Sequence, residues 1–283
     1  MNTYHNTPEI INSIEKSLKQ QIETFFLSVY PVSHLVSHGL EHHRRVWEYA
    51  KELISNSGIS RGKGDLLFFR KIMIACYFHD IGMSADPGVR HGALSREQCT
   101  IYLRSKGISQ TEHKDTLEAI EYHDDKEYTS LPSDNIILTI LSVADDLDAF
   151  GFIGIFRYIE VYLKRNIPAE EIGYLISENA SRRFDNFVNI FGSSSEYVQK
   201  QRIRFEILVN FFKEYNHQLS GYRFGTAYPS GYCGVMDVFI SVHNNSGNTD
   251  FSNIIKIYSK DPVINWFNKG LSSELHPVRF KTQ

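Results

Sequence analysis

Residues 66–82 read Leu66-Leu67-Phe68-Phe69-Arg70-Lys71-Ile72-Met73-Ile74-Ala75-Cys76-Tyr77-Phe78-His79-Asp80-Ile81-Gly82. A long apolar run ends in an imidazole and a carboxylate side by side. The run reads as a largely buried helix, and Asp65 is placed to cap it. A His and an Asp at the inner end of such a helix each cost several kcal/mol unless they are paired or bound to a cation. A metal ion is the economical explanation, provided that further ligands converge from elsewhere in the chain.

Outward from this stretch the apolar period is helical as far as about residue 220. The spacing predicts a first helix over 8–29, with Pro8 at its first position and a stripe of Ile10, Ile11, Ile14, Leu18, Ile22, Phe25 and Phe26. A second runs over 40–56 and stops before Gly58, with Val46, Tyr49, Ala50 and Leu53 on one face. Ser95 with Gln98, and Ser109 with Glu112, have the form of capping boxes, so helices are expected to begin there, separated by Gly107. Ser133 is expected to cap a segment reaching Phe150, followed by helices over 153–164, 168–191 and 196–219. There is no internal repeat.

Beyond residue 220 the texture changes. Gly221, Gly225, Gly231 and Gly234 interrupt a Tyr-rich stretch, and residues 235–242 alternate like a strand. Residues 244–248 read as a turn, 251–258 as a returning strand and 262–271 as a last helix. The expected organisation is a helical domain over 1–220 and a small, β-containing extension of unknown role over 221–283.

Lys and Arg number 30 against 33 for Asp and Glu, and the net charge of -3 leaves no footprint for duplex nucleic acid or an anionic membrane. The N-terminus has no basic region followed by an apolar one, and no apolar stretch reaches the roughly 18 residues of a membrane span. A cytoplasmic protein with small-molecule partners is expected, and a homo-oligomer is compatible with that. Cys76, Cys99 and Cys233 are odd in number and far apart, so neither a disulfide framework nor a thiolate zinc site is indicated.

The first partner for the doublet is His42, one turn before Val46, which turns its imidazole inward with the apolar stripe while His43 points elsewhere. The second is Asp145, with Leu141 and Leu138 one and two turns behind it. Taken singly, an inward His is more often a hydrogen-bonded core residue and an inward Asp a cap or an Arg partner. Four such placements on successive core helices would need two buried carboxylates and two imidazoles all to find other partners. Their mixed nitrogen and oxygen donors suit Mn, Fe, Co, Ni, Zn or, less readily, Mg.

The order His, then His-Asp, then Asp on a helical scaffold resembles the HD-domain superfamily of metal-dependent phosphohydrolases. His42-x-x-Arg45-Val46 is similar to that family's His-x-x-Arg-Val helix, and Phe78-His79-Asp80-Ile81-Gly82 to its His-Asp-Ile-Gly signature. Ala144-Asp145-Asp146-Leu147-Asp148-Ala149-x-Gly151 resembles the Ala-Asp-x-Leu-Asp-Ala-x-Gly segment of stand-alone bacterial members. His91-Gly92-Ala93-Leu94-Ser95 and Ala119-Ile120-x-x-His123 resemble intermediate segments of the same proteins. The resemblance covers roughly residues 25–220. It implies a mainly α, HD-type helical bundle in which His42, His79, Asp80 and Asp145 ligate a divalent metal. No Gly-Tyr-Pro element follows the doublet, so the cyclic-di-GMP-specific branch is not supported. A small stand-alone hydrolase fits better than a multifunctional enzyme.

Whether one ion or two is bound turns on His91 and His123. His123 shares a face with Thr116, Ala119 and Ile120, whereas His91 follows a Pro87-Gly88 loop. Both are candidate ligands of a second ion, the alternatives being phosphate contacts or a proton donor to the leaving oxygen. His38 is expected in a loop at the cleft mouth because of Gly39, and Asp148 is expected to orient a ligand or pair with Arg45. A bound ion would supply hydroxide at neutral pH, with Asp80 holding the metal and Arg45, Arg90, Arg96 and Lys114 as candidates to position phosphate. No Walker loop is present, so a nucleotide would be held by side chains lining a helical cleft. Hydrolysis of a nucleotide or other small phosphorylated metabolite is the leading reading. A di-iron oxygenase of the same superfamily, and a non-catalytic binding protein with a structural metal, are the alternatives.

Overall fold

The computed structural model describes residues 7–30, 35–56, 65–125, 134–192, 195–246 and 260–275. The helices are α1 (Thr7–Val29), α2 (Leu40–Asn56), α3 (Leu66–Phe78), α4 (His91–Ser105), α5 (Lys114–Tyr122), α6 (Ile136–Asp148), α7 (Gly151–Lys164), α8 (Ala169–Phe191), α9 (Ser195–Gln218), α10 (Gly231–Ser246) and α11 (Pro262–Leu275). Short 3-10 turns occupy Val36–His38, Ile81–Ser84 and Leu219–Gly221. Among the described residues there is no strand and no helix long and apolar enough to cross a membrane.

The chain divides into two compact units. One holds the residues up to 34, 38–148 and 186–198; the other holds 35–37, 149–185 and 199–283. The division thus falls after Asp148, and the segment that the sequence set apart beyond 220 shares a unit with α7.

In the first unit α3 is the central element, touching α1, α2, α4, α5 and α6. Its sequence explains the position, because a helix apolar on every side has no face to give to water. Every residue from Ile72 to Phe78 is buried. The α1 stripe of Ile10, Ile14, Leu18, Ile22 and Phe26 is buried as its period requires. Two of the large polar-tipped rings in the core have carboxylate partners. Trp47 Nε1 donates to Glu15 at 2.7 Å, and the Tyr77 hydroxyl donates to Glu23 at 3.1 Å.

The capping predictions fare unevenly. Asp65 accepts the Leu67 amide at 2.9 Å and starts α3 as expected. Ser95 does not cap, because α4 begins four residues earlier at His91 and carries Ser95 as a buried interior residue whose hydroxyl accepts the Gly82 amide at 2.9 Å. Ser109 accepts the Glu112 amide at 3.3 Å, yet α5 starts only at Lys114. Ser133 lies outside the described residues; Asn135 caps α6, accepting the amides of Ile137 at 3.1 Å and Leu138 at 3.2 Å.

In the second unit α7, α10 and α11 pack together, with Phe156, Phe239 and Phe267 meeting at ring distances of 5.6 and 5.9 Å. The strand expected over 235–242 is helical instead, as part of α10, and of the turn expected over 244–248 residues 244–246 are the last residues of that helix, the others lying outside the described residues. The expected partner strand at 251–258 lies outside the described residues. The helix wins because its start is secured from afar. Gly231 opens it at φ +66, Gln218 Oε1 accepts the amides of Tyr232 (2.7 Å) and Cys233 (3.1 Å), and Asp261 accepts that of Gly231 (3.0 Å). Asp237, on the same helix, is buried and accepts from the Tyr222 hydroxyl and the Gly225 and Thr226 amides.

Glu160 of α7 is 1% exposed and holds the 35–37 segment through the amides of Val36 (3.0 Å) and Ser37 (2.9 Å). Burial outweighs these bonds and raises its pKa from 4.5 to about 6. Between those values the unfolded carboxyl has lost its proton while the folded one keeps it, so stability falls as pH rises across the window. The loss is about 2 kcal/mol. Urea unfolding of the wild type should weaken by that amount from about pH 3.5 to about pH 7, most of it between the two pKa values, relative to Glu160→Gln. Parallel pH profiles for the two proteins would show that Glu160 titrates like an exposed carboxylate.

Candidate metal centre

The doublet sits where α3 changes geometry. His79 keeps helical dihedrals (φ -56, ψ -40) and its amide bonds the Ala75 carbonyl at 3.0 Å, whereas Asp80 (φ -110, ψ 10) leaves the helix and opens the 3-10 turn. His42 arrives from the first turns of α2 and Asp145 from α6, each on a buried face as the period requires. All four are at most 4% exposed.

Their donor atoms converge. His42 Nε2 lies 3.0 Å from His79 Nε2, 3.4 Å from Asp80 Oδ2 and 3.7 Å from Asp145 Oδ1; His79 Nε2 lies 3.4 and 3.8 Å from the same two oxygens. Donors about 2.1 Å from one ion stand about 3.0 Å apart at a right angle and about 4.2 Å apart when opposed. The observed separations fall inside that range. Asp80 Oδ1 faces the other way, 3.0 Å from His123 Nε2 and 3.5 Å from His91 Nε2. Two groups able to hold an ion therefore share one carboxylate: His42, His79, Asp80 and Asp145, and Asp80, His91 and His123.

The tautomers point the same way. His79 Nδ1 lies 2.9 Å from the Cys76 carbonyl, His91 Nδ1 2.6 Å from that of Gly88 and His123 Nδ1 2.8 Å from that of Ile120; His42 Nδ1 lies 2.7 Å from Asp148 Oδ2. Carbonyls and carboxylates only accept, so each Nδ1 carries a proton; a neutral ring then offers its Nε2 lone pair inward, as His42 and His79 do, whereas His123 Nε2 donates to Asp80 Oδ1 and frees that lone pair only on losing its proton. Two such lone pairs meet between His42 and His79 at 3.0 Å, an arrangement that only a shared proton or a cation relieves. The donor set fits a divalent ion for that reason.

The electrostatics of the bare cluster agree. Burial pushes the Asp80 carboxyl up, but the imidazoles of His79, His123 and His42 outweigh it and hold the group well below the ordinary carboxylate range. Burial lowers His79 despite the adjacent Asp80. It also pushes His123 down, but there the bond to Asp80 wins and the pKa is raised.

Two neighbours were not legible as such. His38 is not in an open loop but in a 3-10 turn, 5% exposed, with Nε2 3.8 Å from Asp80 Oδ2. Asp124, masked in the sequence by the adjacent His123, places a carboxylate oxygen 3.8 Å from His91 Nε2 while its side chain is 40% exposed, so solvent reaches this edge of the cluster. Of the basic residues predicted to meet phosphate, Arg45 is beside the cluster and pairs with Asp148. Arg90 pairs with Asp86, Arg96 with Glu121 and Lys114 with Glu118, all on α4, α5 or the turn before them.

Residues 39–149 match the family model described as the HD domain. The chain contains an HD domain. HD domains bind divalent metals and are generally metal-dependent hydrolases of the phosphohydrolase superfamily. A structural-genomics target protein from Lactobacillus plantarum aligns with a TM-score of 0.53 at 17% identity, over 72% of this chain and 97% of that one, a likeness of fold. No curated protein matches the sequence.

Within the HD domain the two halves of the cluster are pinned together at Gly82. A Cβ there would stand 2.3 Å from the His91 carbonyl oxygen and 2.7 Å from the Ser95 amide nitrogen, both main-chain atoms of α4. Glycine lets the turn carrying Asp80 lie against the turn carrying His91. Gly82→Ala should destabilise by about 1–3 kcal/mol or more through forced separation of these segments. An unchanged thermal unfolding temperature would show that α4 yields without cost.

Proposed function

We propose that the HD domain hydrolyses a phosphoester or phosphoanhydride of a nucleotide or other small phosphorylated metabolite at a two-ion centre. His42, His79, Asp80 and Asp145 would hold one ion, and Asp80, His91 and His123 the other. The observation that carries the reading is Asp80, whose two oxygens face two separate sets of imidazole Nε2 atoms. When bound, a divalent ion acidifies water from a pKa of about 15.7 to about 7 and offsets charge on a phosphoryl oxygen.

The chain's own groups supply the rest. Asp80 fixes the spacing between the two positions, and the buried His42, His79 and Asp145 exclude bulk water from one side. The edge at His91 and Asp124 is open, which is the side from which a substrate would enter. Arg90, Arg96 and Lys114 are the proposed phosphate contacts. Their present pairs are exposed and therefore weak, so exchanging a carboxylate for a phosphate costs little.

The second group also favours one alternative, a di-iron oxygenase, which needs His91 and His123 as ligands. Elemental analysis followed by a screen of nucleotides and small phosphoesters with Mn, Mg, Fe, Co, Ni or Zn separates the two. Phosphate or pyrophosphate release is expected, with metal and activity lost together in His79→Ala and metal content halved in His123→Ala. Oxygen uptake with iron and no phosphate release would establish the oxygenase. Unchanged stoichiometry in His123→Ala would give that residue to proton transfer instead.

A further inference from the structure

Three of the four inward imidazoles hand Nδ1 to a main-chain carbonyl, of Cys76, Gly88 or Ile120, so the backbone sets the proton on that nitrogen. His42 is different, because its Nδ1 partner is a side chain. Asp148 Oδ2 lies 2.7 Å away, and the same carboxylate takes the Arg45 fork, Nε on Oδ1 at 2.7 Å and Nη2 on Oδ2 at 2.9 Å. The His42 and Asp148 side chains are completely buried, and that of Arg45 is 20% exposed.

The register is economical in sequence. Arg45 lies three residues after His42 on α2, and Asp148 three after Asp145 on α6, so the two helices that supply ligands also supply the pair behind them. Facing two guanidinium N–H groups, Asp148 is fixed as an ionised acceptor. The His42 proton then belongs on Nδ1, and Nε2 presents its lone pair to His79, Asp80 and Asp145.

We propose that Asp148, clamped by Arg45, is the positioning residue that sets the metal-binding tautomer of His42, and that Arg45 acts through Asp148 and not on substrate. This rests on the reading of His42 as a ligand. It predicts what an amide does at the same position. Asp148→Asn turns one oxygen into an NH2, and Arg45, which can only donate, claims the remaining oxygen. The NH2 then faces His42, whose Nδ1 must accept, so the ring proton moves to Nε2 and the ligand lone pair is lost. An Asp-to-Asn change behind a catalytic histidine has this effect in serine proteases.

The test reads the tautomer directly, by long-range 1H–15N correlation of the His42 ring in chelator-treated, 15N-labelled protein, alongside Zn2+ affinity by chelator competition. The wild type should show a protonated Nδ1. Asp148→Asn should show a protonated Nε2 and bind Zn2+ about 10–100-fold more weakly. Arg45→Lys, which keeps a donor and the charge, should keep the tautomer and lose less affinity. A wild-type ring protonated at Nε2 overturns the proposal without any variant, as does Asp148→Asn with the wild-type tautomer and affinity. A wild type with the expected tautomer that takes up no Zn2+ overturns the ligand reading beneath the proposal, which separates the two failures.

Discussion

Four imidazoles and two carboxylates withdrawn from water at the meeting point of α2, α3, α4, α5 and α6 impose the constraint on which the HD domain depends. Each ring has one nitrogen committed to a fixed acceptor, so none can relieve the crowding by turning over. The inward nitrogens of His42 and His79, 3.0 Å apart, would repel if both stayed bare. A fold that tolerates this must be rigid enough elsewhere to hold the donors in place. The rigidity comes from α3, whose apolar circumference is gripped by five neighbouring helices, and from the glycine contact that fixes the turn after it against α4.

The parts of this centre legible in the sequence are those set by helical period. His42 and Asp145 lie one or two turns from apolar residues of the same stripe, and a period of 3.6 suffices to turn them inward. Asp148 could be placed near a ligand or Arg45 by the same logic; the structure shows that it serves both at once. Period has less to say where the chain turns. His38 precedes Gly39, a residue that reads as the end of order, yet the 3-10 turn brings its ring within 3.8 Å of Asp80. Asp124 follows His123 at a helix end, where neighbouring side chains diverge and no stripe assigns a direction.

Caps divide along the same line. Asp65 caps from two residues away, and a local rule finds it. The start of α10 is secured by Gln218 and Asp261, distant in sequence on either side, so the alternation of residues 235–242 was the only signal within reach and it pointed to a strand. Ser95 shows the reverse case, a residue with the right local pattern whose hydroxyl was needed elsewhere. It accepts the Gly82 amide and ties α4 to the turn carrying Asp80.

That bond also explains why the two groups of donors are not independent modules. Asp80 is common to both, and its backbone path is set on one side by the end of α3 and on the other by the Gly82 contacts with α4. A shift of α4 would move His91 and the turn carrying Asp80 together, changing the spacing to His42 and His79 on α2 and α3. Whatever fixes Asp80 Oδ2 also fixes the direction of Oδ1. The coupling is carried by one carboxylate and one hydrogen-bonded turn, and needs no larger rearrangement of the helices.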